Sequence, residues 1–175
     1  SDATIAPDVE VGPFTIIHAN TTIGGGARLG SHCEVGLPTP RAQGRRLKIG
    51  AGSLIRSHSV IYEGSDLGDF LETGHHVTIR ENVVAGANLR VGSWGDIQGD
   101  SSIGDYVRMQ SNVFIAQGST VGSFVWLYPF VVFTNDERPP SEGPYQGPFV
   151  ESYAVVATKA TLLPGIRVGR HAYIA

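Results

Sequence analysis

The amino-acid sequence points to a parallel β-helix on three grounds. Apolar residues recur every six positions along most of the 175-residue chain, a small or β-branched residue stands four places after most of them, and glycine, 23 in all, often follows the large residue directly. A short strand that buries one large side chain, turns, and begins again six residues later satisfies all three conditions. Stacked coils of such strands pair each other's backbone groups and enclose a narrow aliphatic core.

The first block of anchors is Ile5, Val11, Ile17, Ile23, Leu29 and Val35, with glycine after four of the six. After a break the series resumes at Ile49 and continues through Ile55, Ile61, Leu67, Thr73, Ile79, Ala85, Val91, Ile97, Ile103, Met109, Ile115, Val121, Leu127 and Phe133, fifteen repeats without a slip. A second break ends at Val150, and Val156, Leu162, Val168 and Ile174 complete the series, so that 25 of 26 anchors are apolar and Thr73 is the exception. The second inward column includes Ala27, Cys33, Ser53, Ser59, Val77, Val83, Val107, Val113 and Ala154. Apolar residues do not recur at three and four, which disfavours helix. One domain over residues 1–175 accounts for the length.

A net charge of -3 supplies no global basic field, so neither nucleic acid nor an anionic membrane is suggested as a partner. No stretch approaches the roughly 18 consecutive apolar residues of a membrane span, and no basic-then-apolar leader opens the chain. Cys33, the only cysteine, cannot form an internal disulfide, which fits a reducing, cytoplasmic setting. Terminal coils of a solenoid need a polar cover, and the final AYIA stops in mid-hexad, so a further tail or a packed surface is expected there.

The hexads resemble those of the hexapeptide-repeat acyltransferases over nearly the whole chain. That resemblance implies a left-handed β-helix of triangular section with three hexads per coil, although ordinary parallel crossovers favour the right hand. Twenty-six hexads then make between eight and nine coils, roughly 40 Å at a strand spacing of ~4.8 Å. The two breaks become loop excursions at 37–48 and 134–149. They follow six and twenty-one hexads, both multiples of three, so both leave the same corner of the prism. The first carries Arg41, Arg45, Arg46 and Lys48 with no acid; the second is proline-rich and partly acidic. Loops on a rigid scaffold often carry function.

The stretch LETGHHVTIREN, residues 71–82, sets two of the six histidines side by side after a glycine. His75 and His76 occupy the second and third places after the Thr73 anchor and point outward. Eighteen residues make one coil, so His75 stands between Ser57 and Ser93, with Ser111 beyond, and His76 between His58 and Trp94, with Asn112, Phe130 and Lys159 continuing the column. Imidazole is the side chain best suited to act as a general base near neutral pH. The sugar-nucleotide acyltransferases of this family place a histidine at the same offset, and Gly74-His75-His76-Val77 matches them. The resemblance makes His75 the base and His76 a substrate-orienting residue or second candidate. With Val107 to Asn112 and Phe133 to Asp136, the stretch looks most like the subgroup that N-acetylates amino sugars on nucleotide carriers. Many relatives carry histidine where Gln110 stands, so a mechanism that needs one there does not transfer.

Acetyl-CoA is the expected co-substrate, with Ser93, Trp94, Ser111 and Lys159 as the residues that hold it, and no metal. Substrate contacts are expected from Arg56, Arg80, Glu81, Asn112, Asn135 and Asp136, with Arg80 suited to a pyrophosphate. Glu63 and Glu81 are expected to face outward as stacked like charges, paired with Arg56 and Arg80. The resemblance also implies a homotrimer with acyl-CoA between neighbouring subunits, which agrees with outward Phe114, Trp126 and Phe130. Other readings of the same residues are solvent-facing turn histidines, O-acetylation of a sugar, and a non-enzymatic scaffold. A zinc site like that of the carbonic anhydrases sharing this fold needs three histidines, and beside His58 and His76 no third has an obvious position.

Overall fold

In a computed structural model, which describes residues 2–141, 143 and 145–175, the chain winds into a left-handed parallel β-helix with three flat faces. The first sheet has nine strands, from Thr4–Ile5 to Arg167–Val168; the second has nine, from Glu10–Val11 to Tyr173–Ile174; the third has eight, from Ile16–Ile17 to Thr161–Leu162. Every pairing is parallel and joins a strand to its equivalent one coil away, as Thr78 to Asp96 and Ile79 to Ile97. Each of the 26 anchors lies in its own strand.

The anchors fill the prism from three sides. Ile55, Ile61, Leu67, Ile79, Ile97, Ile115, Leu127 and Phe133 are fully buried, and the small column of Ala27, Cys33, Val77, Val83, Val107 and Val113 completes the core between them. Thr73, the polar anchor, is also fully buried, and its hydroxyl accepts a hydrogen bond from the Arg56 amide at 3.0 Å, so the departure from the pattern leaves no orphan. Ile5 and Val11 are 42% and 46% exposed because the first coil is stacked on one side only.

Corner geometry decides which residues face out and how they line up. Directly after the Val11 anchor the coils approach so closely that a Cβ on Gly12 would lie 2.6 Å from the Gly30 carbonyl carbon, which requires glycine at that position. At the third place the backbone is left-handed, with φ of 62° at His58, 55° at His76 and 61° at Trp94. Residues other than glycine adopt that conformation at a cost, and here they gain ring stacking against the coils above and below.

Both excursions leave the corner between the third and first sheets, as the multiples of three require. The first is shorter than 37–48, because Leu37 still pairs with Tyr62 at one end and Leu47 with Thr21 at the other. Between them a 3-10 turn, Pro40–Ala42, is capped by the Thr39 side chain. The second likewise ends one residue early, at the strand Phe149–Val150. The first loop packs against the corner and overturns one expectation: Glu63 and Glu81 do not face solvent but are 8% and 1% exposed. Glu63 accepts from the Thr39 amide at 3.0 Å, and Glu81 is paired with Arg80 at 2.9 Å and Arg41 at 3.8 Å. Arg56 pairs with Glu72 instead.

Candidate active site

His75 leaves the corner between the second and third sheets and borders an open groove of about 490 Å³ along the second sheet. Its Nδ1 lies 2.7 Å from the Ser57 hydroxyl on the coil below, and its backbone amide donates to the Ser93 hydroxyl on the coil above at 3.1 Å. The serine column therefore fixes this histidine from both sides. Nε2 has no protein partner among the described residues. Ser93, Ser111 and Gln110 line the same groove.

His76, one residue on, faces away from that groove into an aromatic stack. The rings run Phe14, His32, His58, His76 and Trp94, with centroids 4.9, 5.0, 4.8 and 4.1 Å apart and nearly parallel planes. His32 is the third histidine that the sequence did not place: it belongs to the column of His58 once the first excursion is removed from the count. The three imidazoles meet face to face, whereas ligands of one tetrahedral zinc converge on a point through their nitrogens. Partial desolvation, followed by the neighbouring His76, His32 and His75, holds His58 below its ordinary imidazole value. Asn112, Phe130 and Lys159 continue the column, and Lys159 is exposed with φ 64°.

The expected substrate residues do not all gather here. Arg56 lines the groove and donates to the Thr73 carbonyl at 2.6 Å and to Glu72 at 2.8 Å. Arg80 and Glu81 lie at the loop-bearing corner, tied to each other. Asn135 donates to the Gln117 carbonyl at 3.1 Å, and Asp136 accepts from the Arg138 and Ser141 amides at 3.0 and 3.1 Å. Those backbone hydrogen bonds, that of Arg138 foremost, hold the Asp136 carboxyl below its ordinary value. Asn135 and Asp136 open onto a separate hollow of about 310 Å³ shared with Arg138 and Gln146.

Three charged residues of the groove escaped the sequence reading: Glu72, Arg90 and Arg108. They stand on successive rungs of the second sheet at the place before the anchor, in register with one another and with Trp126 above. An 18-residue step from Glu72 would have found all of them. Glu72 is gripped by Arg56 from below and by Arg90 from above at 3.1 Å. The Arg56 hydrogen bond first, then the Arg90 charge, holds its carboxyl below the ordinary value despite partial burial. Trp126, expected only as a covered flank, also lines the groove.

A triangular prism of hexapeptide coils carrying an imidazole beside an open, arginine-lined groove defines the class: a left-handed β-helix of the hexapeptide-repeat type. Comparisons with known proteins put the chain's likeness where its hexads put it, with the hexapeptide-repeat acyltransferases. The chain is 29% identical over 175 residues to the bifunctional protein GlmU of Exiguobacterium sp. (strain ATCC BAA-1283 / AT1b), a match over 98% of this chain and 36% of GlmU. It is 27% identical over 170 residues to GlmU of Thermotoga sp. (strain RQ2), over 95% of this chain and 35% of that protein. The chain thus spans about a third of the length of these relatives. Among solved structures it resembles LpxA from Acinetobacter baumannii, with a TM-score of 0.50 and 21% identity over 97% of this chain and 65% of that one. It also resembles Arabidopsis UDP-N-acetylglucosamine acyltransferase, with a TM-score of 0.53 and 14% identity over 98% and 63%. These two show the fold. No protein-family model matches the chain. Among the described residues no helix is long and apolar enough to cross a membrane.

Proposed function

We propose that this chain is an acetyl-CoA-dependent acyltransferase that acetylates the amino group of a nucleotide-linked sugar. The observation that carries the proposal is His75, whose Nδ1 is engaged by Ser57 while its Nε2 is left unpartnered at the edge of a groove large enough for a substrate. The likeness to the hexapeptide-repeat acyltransferases and to GlmU supports acyl transfer.

In the base role, His75 is neutral with its proton on Nδ1, donated to the Ser57 hydroxyl, so the Nε2 lone pair is free. The acceptor amine attacks the thioester carbonyl and loses a proton to Nε2. The tetrahedral adduct collapses by breaking the carbon–sulfur bond, and the imidazolium returns the proton to the departing thiolate. A backbone amide at a coil turn stabilises the oxyanion. No covalent enzyme intermediate forms. Acetyl-CoA lies along the corner past Ser93, Trp94 and Ser111 toward Lys159, whose ammonium meets a phosphate, and the working assembly is a homotrimer.

Calorimetric titration tests the co-substrate. Acetyl-CoA binds the wild-type chain, and Lys159→Glu weakens binding about tenfold, the ~1.4 kcal/mol of one lost charge-assisted contact replaced by repulsion. Absence of binding by an intact trimer contradicts the proposal.

A further inference from the structure

The groove beside His75 has a charge balance opposite to that of the molecule. Apart from His75, its charged lining consists of three guanidiniums, Arg56, Arg90 and Arg108, against one carboxylate, Glu72, in a chain whose net charge is -3. Internal pairing does not account for all three. Arg56 is consumed by Glu72 and the Thr73 carbonyl. Arg90 spends only Nε on the far oxygen of Glu72. Arg108 makes no direct ion pair among the described residues, although the Glu72 charge reaches it across Arg90: Nη1 donates to the Asn88 carbonyl at 2.5 Å and the Val107 carbonyl at 3.2 Å. These bonds fix the fork in place while neutralising none of its charge. Burial, followed by the adjacent Arg90 charge, pulls the Arg108 guanidinium below its ordinary value.

Two like charges on adjacent rungs, one of them pinned by carbonyls, repel each other, and the single Glu72 carboxylate, already shared with Arg56, offsets them only in part; an anion bridging both relieves the rest. Arginine forks present several planar donors to phosphate oxygens, and rungs ~4.8 Å apart let each fork take one phosphoryl group of a diphosphate. One rung above Arg108, Trp126 lines the same groove and is 45% exposed beside Tyr128. An aromatic ring next to a diphosphate receptor suits a nucleobase.

We infer that Arg90 and Arg108 are the receptor for the diphosphate of a nucleoside-diphosphate ligand, with Trp126 stacking on its base. The inference deepens the proposed acyl transfer and rests on it for the reaction, though not for the binding. Both the nucleotide-linked acceptor and coenzyme A carry a nucleoside attached to a diphosphate, and the experiment separates them.

UDP and coenzyme A are titrated separately into wild-type protein, Arg108→Ala, Arg108→Lys and an Arg90→Ala/Arg108→Ala double variant, with melting curves to confirm that each is folded. The expected result is at least a tenfold loss of UDP affinity in Arg108→Ala, a larger loss in the double variant, partial recovery in Arg108→Lys, and coenzyme A affinity unchanged. Loss of coenzyme A affinity with UDP unchanged upholds the diphosphate receptor and assigns it to the co-substrate. If the folded double variant binds both ligands as tightly as wild type, or if wild type binds neither, the inference is overturned. Acetyl-CoA binding that survives in that folded double variant leaves the acyltransferase reading standing. Conversely, UDP binding that depends on the arginines, with no acetyl-CoA binding, refutes that reading and keeps the receptor.

Discussion

Replacing His75 by alanine is expected to lower the rate of acetyl transfer by about 10²–10⁴-fold, the usual contribution of a positioned general base, while leaving the melting temperature unchanged. The structural reason for the second half is that the side chain is exposed and its backbone amide bond to Ser93 survives the change. Ser57→Ala is expected to produce a smaller loss, because it frees Nδ1 and lets the imidazole turn and change tautomer without removing it. Steady-state thiol release with the three proteins checks both statements. A rate within twofold of wild type for His75→Ala would remove the base assignment, and attention would shift to His76. His76→Ala breaks the ring stack between His58 and Trp94, so it is expected to alter stability at the corner more than chemistry.

The second large effect is on stability. Arg80→Met is expected to destabilise the fold by about 3–5 kcal/mol, because it leaves the Glu81 carboxylate, 1% exposed, without its closest countercharge. Arg80 also covers the Tyr62 ring, with the guanidinium carbon 4.6 Å from the centroid, so its methylene stem and head both contribute. Arg41, 3.8 Å from Glu81 but largely exposed, compensates only in part. For a chain of this size, a drop of roughly 6–20 °C in melting temperature corresponds to that range. Adding Glu81→Gln to Arg80→Met is expected to restore most of the loss, since removing both members of a buried pair avoids the stranded charge. A single variant that melts with wild type would mean that Arg80 is held for ligand binding instead of for Glu81.

Much of this was legible from residues because a β-helix couples sequence to space by simple counting. Each anchor predicted a strand, and the columns of His75 and His76 followed from an 18-residue step. The corner shared by the two excursions followed from their spacing in multiples of three. What escaped had physical causes. Glu63 and Glu81 occupy an outward place in the hexad, and only the folding of the first loop over that corner buries them, which no local pattern announces. Arg90 and Arg108 occupy the strand place that normally meets solvent, where a lone charge carries no signal of a site. Their meaning came from being stacked without enough acid between them. His32 was hidden because the first excursion shifts its column out of the 18-residue count. The reverse case is Arg80: its charge suggested a ligand, and its geometry gives it Glu81 and Tyr62.

Product analysis decides whether the chain transfers acetyl groups. The chain is incubated with acetyl-CoA and a panel of nucleotide-linked amino sugars, thiol release is followed, and products are analysed by mass and by hydroxylamine treatment, which cleaves oxygen esters and spares amides. One acetyl group is expected per thiol released, on nitrogen, at a rate that collapses in His75→Ala. No acetylated product from any amino sugar nucleotide, or a product on oxygen alone, would contradict it.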